Sequence, residues 1–340
     1  MVTMKTSPWL KNSPNAPIEM SSRIRLARNL EGLTYPHLIQ DKSEYDEVTK
    51  TISNKYKDFE VIKMDDLTEI EKQLMIEKFL ISPLFKRRGH SLIVSEDEST
   101  SIMVGEEDHI RIQVMNVGHS LEELYEIASD IDDTIEKDFD YQFDRQYGFK
   151  TACPTNVGTG LRASVMLHLP ALTRNNRIRR LRDVLTRMGY TLRGIYGEGS
   201  NPVGDVYQLS NQVTLGLSEL EIIHHLDEIK EQIIYEETRM REWFYHNRAL
   251  TVRDAIFRSY GLLRYAEQMS LDEAAMHLSH IKYGVDMNVL ELENFEFQAL
   301  LKQIQHAFIR QGLEDVESVH LEAAENKARA TFLKRTLGGK

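Results

Sequence analysis

The chain has 340 residues, of which 41% are hydrophobic and 28% charged, and its formal net charge is −11 at pH 7. This composition supports a sizeable buried core in one large domain or two, and it excludes a mainly disordered chain. The excess of acidic residues argues against direct nucleic-acid binding, which needs a basic surface. The single cysteine, Cys153, excludes an intrachain disulfide and a multi-cysteine metal site.

The N-terminal residues lack the apolar core of a signal peptide, and no apolar run reaches the ~18 residues that a membrane span requires. The sequence therefore predicts a cytoplasmic globular protein that does not associate with membranes. Residues 1–18 are rich in Pro, Ser and Asn, which predicts a loose N-terminal arm over residues 1–20.

The rest of the chain alternates between two kinds of apolar pattern. Apolar residues at helical spacing predict helices at 45–56, 67–80, 120–137, 176–189 and 219–246. Short apolar or alternating runs predict strands at 90–95, 101–105, 110–114, 162–170, 191–197, 204–211 and 213–218. Ser–x–x–Glu signals at Ser120 and Ser218 indicate capping boxes.

After residue 248 the pattern changes to helices alone, at 252–269, 270–285 and 295–312. The sequence therefore predicts two domains after the arm. The first, 21–247, mixes strands and helices, and the second, 248–340, is a C-terminal helical domain.

The stretch SSRIRLAR places Arg23 and Arg25 two residues apart. In a strand both side chains lie on one face and Ile24 and Leu26 on the other. Two adjacent guanidinium groups repel each other unless an anion lies between them. Taken alone, a solvated strand edge is the simpler interpretation.

Three further motifs favour an anion site. In GEEDHIRIQV, three acids precede a strand that carries Arg111, with Glu107 four residues before it. In CPTNVGTGLRASV, a glycine turn leads into a strand at Arg162, and glycines let backbone N–H groups approach an anion. The glycine-rich RGIYGEGSNPVGD contains Arg193 and Glu198 and is typical of a loop that closes over a ligand.

The common nucleotide-binding signatures G-x-x-x-x-G-K-[ST], H-R-D, D-F-G and G-x-G-x-x-G before a helix do not occur. A phosphate site in this chain must therefore be built from arginines.

Together, SSRIRLAR, EEDHIRIQ, CPTNVGTGLRASV and RGIYGEG resemble, in order and spacing, the catalytic domain of the phosphagen (guanidino) kinases over about residues 20–247. Within that family the early position of SSRIR and the helical module that follows are similar to the bacterial protein-arginine kinases. The resemblance implies an α+β fold in which helices flank an antiparallel sheet, followed by an all-α domain.

The resemblance also implies ATP as phosphoryl donor, with Mg²⁺ held by ATP and water rather than by a protein metal site. It places the ATP-binding residues at Ser21, Ser22, Arg23, Ile24, Arg25, Arg111, Arg162, Ala163, Ser164, Val165, Met166, Arg193, Gly194, Ile195, Tyr196, Gly197 and Glu198. Arginine forks suit this role because they neutralise the transferred group's oxygens in fixed geometry.

Four residues match the family's catalytic positions. Glu107 matches the carboxylate that removes the guanidinium proton, Glu198 matches the second clamping carboxylate, and Asp108 supports Glu107 or orients magnesium-bound water. Cys153 matches a reactive cysteine that positions the acceptor. The alternative for Cys153 is a small buried hydrophobe.

The implied activity is transfer of the ATP γ-phosphoryl group to arginine side chains of proteins. The implied partners are arginine-containing substrates, a zinc-binding activator protein, a heat-shock repressor, a Clp-type unfoldase–protease that degrades marked proteins, and further copies of the chain in a homo-oligomer. Two alternatives stay open: a kinase of free arginine or another small guanidine, and a non-catalytic adaptor that keeps the fold.

Two positions depart from the family pattern. Phe79 stands where relatives often have a nucleotide-contacting His. The phosphoarginine-binding signature Arg-Asp-x-x-Arg-Ala is reduced to ENKARA, so Arg329 is the remaining candidate for an allosteric phosphoarginine site. Elsewhere, five arginines at 174–183 indicate a solvated helix face, a self-phosphorylation target or a nucleic-acid patch, the last being least compatible with the acidic chain.

Overall fold

A computed structural model of the chain describes residues 5–10, 17–38, 43–86, 89–194, 202–313 and 320–338. The strands in these ranges are β1 (Glu19–Arg28), β2 (Glu60–Lys63), β3 (Ser91–Val94), β4 (Thr100–Val104), β5 (Ile110–Asn116), β6 (Phe143–Asp144), β7 (Gly148–Phe149), β8 (Leu161–His168), β9 (Tyr190–Gly194) and β10 (Val206–Asn211). The helices are α1 (Ser43–Lys55), α2 (Glu69–Glu77), α3 (Leu121–Glu136), α4 (Pro170–Arg174), α5 (Ile178–Arg187), α6 (Glu219–Asn247), α7 (Ala249–Tyr265), α8 (Leu271–Asp286), α9 (Phe297–Gln303), α10 (His306–Arg310) and α11 (Leu321–Leu337).

Eight strands form one antiparallel sheet in the order β2-β3-β4-β5-β1-β8-β10-β9, and β6 and β7 form a separate small hairpin. The predicted fold class, an antiparallel sheet flanked by helices and followed by a helical region, is confirmed. Within the described ranges no helix is long and apolar enough to cross a bilayer.

The alternation of β1 decides which face of the sheet carries charge. Ile24 and Leu26 are fully buried in the main core, beneath α3 and α6, whereas Arg23 and Arg25 lie on the opposite face. Because side chains alternate along a strand, one stretch of sequence supplies both a core and a charged surface. A shift of the strand register by one residue would move Ile24 and Leu26 out of the core. The loss of their apolar burial, on the order of several kcal/mol, therefore fixes the register.

Helix starts agree with the sequence signals. The Ser120 hydroxyl accepts a hydrogen bond from the Glu123 N–H, and the Ser218 hydroxyl accepts one from the Glu221 N–H. Each glutamate carboxylate in turn accepts the backbone N–H of its serine. Each capping box satisfies two N–H groups that would otherwise lack partners in the first turn.

The helical module packs directly onto the sheet domain. α8 lies against the turn at Val203–Asp205, and α10 lies against α2. The Glu77 carboxylate at the end of α2 accepts the N–H groups of Ala307 and Phe308 at the start of α10. The boundary between domains at 247/248 stays a prediction, since α6 and α7 adjoin there with only Arg248 between them.

The N-terminal segment differs from the expected loose arm where it is described. Trp9 and Leu10 are buried in a second core cluster with residues of α2 and β3, and the Ser7 hydroxyl donates to Glu98. Large apolar side chains in an otherwise polar segment are the reason that it packs.

Two predicted elements are replaced by other structure. Residues 213–218 do not form a strand, because the Thr214 hydroxyl donates to the carbonyl oxygens of Thr155 and Val157 instead. The helix expected at 295–312 is divided into α9 and α10, and the Ile304 carbonyl between them accepts a hydrogen bond from Arg329 at 2.8 Å.

Candidate active site

The candidate site lies at the centre of the sheet on the face opposite the main core, where four strands present arginines side by side. On β1, Arg25 stands opposite Gln113 of β5 and opposite Arg162 of β8. At the far end, Arg193 of β9 stands opposite Gln208 of β10. The register therefore brings together arginines that are far apart in sequence.

All of these arginines except Arg162 border a cavity of about 250 Å³. Its polar lining consists of Arg23, Arg25, Ser82, Arg111, Gln113, Arg193 and Gln208. Ile76, Phe79 and Met103 give it an apolar wall. A cavity with clustered cations and one apolar side suits a ligand with an anionic tail and a less polar head.

The arginines repel one another. Burial, followed by repulsion from Arg162, Arg193 and Arg111, lowers the pKa of Arg23 to about 9. Burial and then the charges of Arg23 and Arg111 lower the pKa of Arg25 well below its usual range. A guanidinium group stays protonated near neutral pH, so these shifts describe a site that an anion would stabilise.

Polar partners hold the arginines in place at the edges of the array. The Arg23 Nε donates to the Ser164 hydroxyl at 3.3 Å, and the Arg162 Nη2 donates to the Ser210 hydroxyl at 3.2 Å. Gln208 and Ser210 are site residues that the sequence analysis missed. The alternation in VYQLSN, which places both on one face of β10, is the signal that could have found them.

The three acids of EEDHIR have different environments. Glu106 is buried and forms an ion pair with Arg111 and a hydrogen bond with Ser82. The Asp108 carboxylate accepts from the Asn29 side chain and from the Ala152 backbone, both at 2.7 Å. The Glu107 side chain is 39% exposed, with its carboxylate 3.4 Å from Arg111.

Of the three, Glu107 is the acid whose side chain is partly exposed, next to Arg111 of the cavity lining. Asp108 instead joins β1 to the segment that leads into Cys153. Neighbouring His109 is buried and accepts the Leu30 N–H at Nδ1 (2.8 Å), which places its proton on Nε2, 3.1 Å from the Thr34 carbonyl oxygen. Burial lowers the pKa of His109, so it is a neutral structural residue.

The glycine turn before Arg162 is constrained by close backbone contacts. Gly158 and Gly160 have φ values of +117° and +64°. A Cβ on Gly158 would lie 2.3 Å from the Thr214 carbonyl oxygen, and one on Gly160 would lie 2.6 Å from that of Ala27. These glycines are therefore required by packing, whether or not an anion binds at the turn.

Cys153 lies at the start of this turn, partly exposed, with its Sγ 3.0 Å from the Thr155 hydroxyl. The residue before it, Ala152, donates its N–H to Asp108, which ties this segment to the acidic motif. Its predicted helper role stays a prediction.

The other predicted ATP-binding residues fall into three groups. Ile24, Ala163 and Val165 are fully buried on the core face of the central strands, and Ser22, which is 2% exposed, lies on the same face as Ile24, so these four side chains point away from the array. Ser21, Met166 and Gly194 lie on β1, β8 and β9 near the array. Ile195, Tyr196, Gly197 and Glu198 lie outside the described residues.

Two arginines that the motifs contain have structural partners. Arg28 forms an ion pair with Asp132 at 2.6 Å and stacks on the Phe149 ring at 3.6 Å. Arg329 is fully buried and donates to the carbonyl oxygens of Ile304 and Met269. A phosphoarginine bound at Arg329 would have to displace these bonds, and that role stays a prediction.

Fold and site together define a class of enzyme that transfers phosphoryl groups to guanidines. Residues 41–240 match the family model of the ATP:guanido phosphotransferase C-terminal catalytic domain, so the chain belongs to this family. Residues 249–339 match the model of the protein-arginine kinase McsB C-terminal domain. A protein-arginine kinase of Staphylococcus aureus (strain USA300) is 44% identical over 320 residues, which is 94% of this chain and 95% of that protein.

Solved structures agree with the fold. A duplicated taurocyamine kinase from Schistosoma mansoni, with bound components of a transition-state analogue, aligns with 70% of this chain at a TM-score of 0.60 and 25% identity. The aligned part is 36% of that duplicated chain. A lombricine kinase aligns over 69% of this chain and 70% of its own, with a TM-score of 0.58 and 23% identity, and shows the fold alone.

Proposed function

We propose that this chain is an ATP-dependent kinase that phosphorylates arginine side chains of proteins. The observation that carries the proposal is the array of Arg23, Arg25, Arg111, Arg162 and Arg193, whose mutual repulsion is relieved by a polyphosphate. The 44% identity to proteins named protein-arginine kinase supports the choice of acceptor.

The reaction forms one P–N bond and breaks one P–O bond. A nitrogen of the acceptor guanidinium attacks the γ-phosphorus, the bond from that phosphorus to the β,γ-bridging oxygen breaks, and ADP leaves. The proton of the attacking nitrogen passes to a carboxylate. Because a free guanidinium has a pKa near ~13.8, proton removal has to accompany attack rather than precede it.

Glu107 has the position for this proton transfer. Its carboxylate is partly exposed beside Arg111, which lines the cavity, and its exposed oxygen can accept from a guanidinium. Glu106 is unsuited because Arg111 and Ser82 occupy it, and Asp108 is unsuited because it binds Asn29 and Ala152. Glu198 is the proposed second clamp of the acceptor.

The arginines supply the remaining catalysis. They hold the ATP phosphates in line with the acceptor and neutralise charge that spreads over the transferred group. Magnesium, when bound with ATP, neutralises part of the phosphate charge. The proposed arrangement leaves Mg²⁺ held mainly by the nucleotide and water, where Asp108 would support Glu107 or orient a magnesium-bound water.

The cellular role is proposed on resemblance alone. It comprises a cytoplasmic location, homo-oligomers, a zinc-binding activator, control of a heat-shock repressor and marking of proteins for a Clp-type unfoldase–protease. The matched C-terminal domain model at 249–339 is what supports this branch of the family.

The test compares Glu107→Gln with wild type, using ATP and an arginine-rich protein, with phosphoarginine measured by mass spectrometry under non-acidic conditions. Loss of the proton acceptor should lower the rate by about 10²–10⁴-fold. The free energy of unfolding of the variant should be close to that of wild type, because the Glu107 side chain is partly exposed. Undiminished phosphoarginine in the variant would remove Glu107 from the mechanism.

Free arginine serves as the second acceptor in the same assay. The proposal expects phosphorylation of the protein to exceed that of free arginine. Preference for free arginine would identify a small-molecule kinase, and failure of wild type with both acceptors would favour the adaptor.

A further inference from the structure

Lys302 of α9 is a cation from the helical module that is buried against the sheet domain. It is 7% exposed, its Nζ donates to the Glu77 carbonyl oxygen at 2.7 Å, and the Nζ lies 2.9 Å from the centroid of the Phe79 ring. Burying an ammonium group is costly unless it is paired. A carbonyl and a ring face supply part of that pairing.

Phe79 separates Lys302 from the arginine cavity. The Phe79 ring is part of the cavity wall, and its backbone carbonyl oxygen accepts from Gln113 Nε2 at 2.9 Å. Gln113 is the cross-strand neighbour of Arg25. A chain of direct contacts therefore runs from the helical module through Phe79 and Gln113 to the arginine array.

The backbone at Phe79 shows that its position is imposed. Its φ is +66°, in the left-handed region that bulky residues avoid. The end of α2 imposes this conformation, because the Phe79 N–H donates to the Ile76 carbonyl oxygen and the Leu80 N–H donates to that of Met75.

Charge links Lys302 to the same array. Burial lowers the pKa of Lys302 well below its usual range, repulsion from Arg23 adds to this, and Glu77 opposes it. An anion in the cavity would offset the repulsion between Arg23 and a protonated Lys302.

A second, small cavity of about 30 Å³ lies on the module side of Phe79. Ser21, Met166, Phe79 and Lys302 are among its lining residues. Ser21 and Met166 belong to the set that sequence motifs predict to bind ATP, so Lys302 borders the same region from the other domain.

We propose that Lys302 is a positioning residue for nucleotide binding, which holds Phe79 as a wall of the arginine cavity and thereby makes the helical module part of the ATP site. The inference rests on the proposed function. If Lys302 has this role, the affinity for ATP depends on how the helical module docks on the sheet domain. Because such coupling is reciprocal, ATP binding also strengthens the docking of the module.

The test is Lys302→Met, which keeps a long apolar side chain but removes the charge. We expect the KM for ATP to rise about tenfold, with kcat within about twofold of wild type, because a contact worth roughly 1.4 kcal/mol corresponds to a factor of ten. Without nucleotide, the Tm should be unchanged or higher, since a buried repelled charge is lost.

A purely structural lysine gives the opposite pattern, a lower Tm with unchanged KM, and that result would overturn the inference. Lys334→Met is the matched control, because Lys334 lies in the same module in an exposed pair with Glu267. Its KM should equal that of wild type.

A second variant, Phe79→Leu, tests the same inference if Lys302→Met does not fold. It removes the ring but leaves the Lys302–Glu77 hydrogen bond in place. It should raise the KM for ATP similarly, and the double variant should lose no more than either single variant. Unchanged KM in Phe79→Leu, or additive losses, would contradict the inference. Wild type without measurable ATP turnover would instead reject the proposed function.

Discussion

Arginine residues of one short motif have two separate uses in this protein. Arg23 and Arg25 lie in the cavity, whereas Arg28 is enclosed by Asp132, the carbonyl oxygen of Thr159 and the Phe149 ring. Strand alternation predicted from the sequence that Arg23 and Arg25 lie on one face of the sheet. The third could not be assigned, because Asp132 and Phe149 lie more than a hundred residues away in the chain.

Arg25 provides the prediction at this scale. Arg25→Met should stabilise the nucleotide-free protein by about 1 kcal/mol, seen as roughly 2 °C or more in Tm, because a repelled buried charge is removed. The same change should weaken ADP binding at least about tenfold, since the loss of a charge contact to phosphate costs more than 1.4 kcal/mol.

Thermal unfolding with and without ADP measures both effects. Arg145→Met, at an exposed arginine, is the control and should alter neither. A variant at Arg25 that is less stable yet binds ADP normally would show that Arg25 supports the fold and not the nucleotide.

The glycine turn and the segment after β10 are one unit at the scale of elements. The Thr214 hydroxyl donates to the Val157 carbonyl oxygen at 2.7 Å, and its own carbonyl accepts the Thr159 N–H at 3.1 Å. The sequence indicated the turn through its glycines. It could not indicate that 213–218 secures the turn instead of forming a strand, because apolar alternation at Val213 and Leu215 is typical of strands and here both residues are exposed.

Gly158→Ala tests this unit. The new Cβ would lie 2.3 Å from the Thr214 carbonyl oxygen at a φ of +117°, so the free energy of unfolding should fall by about 3 kcal/mol or more. Gly32→Ala is the control, since its φ is +79° with no described atom within 4 Å, and strain alone should cost about 1 kcal/mol. Denaturant titration of both variants gives the comparison, and equal losses would contradict the packing role of Gly158.

At the scale of the whole molecule, a buried polar network joins the helical module to the sheet domain. Arg241 of α6 binds Glu237 and Asp286, and its Nη2 lies 3.3 Å from His168 Nδ1 at the end of β8. The other ring nitrogen, His168 Nε2, lies 2.8 Å from the Ser279 hydroxyl of α8, which donates to Asp205. Apolar residues at helical spacing after residue 248 predicted that a helical module exists. No sequence pattern indicates that the module docks through these polar residues, because each is a single residue in a different element.

His168 gives this interface a pH dependence. Burial, followed by the charges of Arg241 and Lys282, lowers the pKa of His168 well below its usual range. The native protein therefore keeps His168 neutral while the unfolded chain takes up a proton below about pH 6.5, so stability is lost as pH falls from there.

The slope attributable to this residue should reach about 1.4 kcal/mol per pH unit below pH 6. His168→Gln should make the pH dependence of the free energy of unfolding shallower by that amount between pH 6 and 5, whatever its stability at pH 7. Parallel curves for variant and wild type would show that His168 does not titrate on unfolding.

The central claim is that the guanidinium groups of β1, β5, β8 and β9 bind the phosphates of ATP. A crystal structure with ADP, Mg²⁺ and an arginine-containing peptide tests it most directly. We expect phosphate oxygens within about 3 Å of guanidinium nitrogens of Arg23, Arg25, Arg111, Arg162 and Arg193, with the peptide guanidinium beside Glu107. Phosphates bound elsewhere, with these arginines turned away from them, would contradict it.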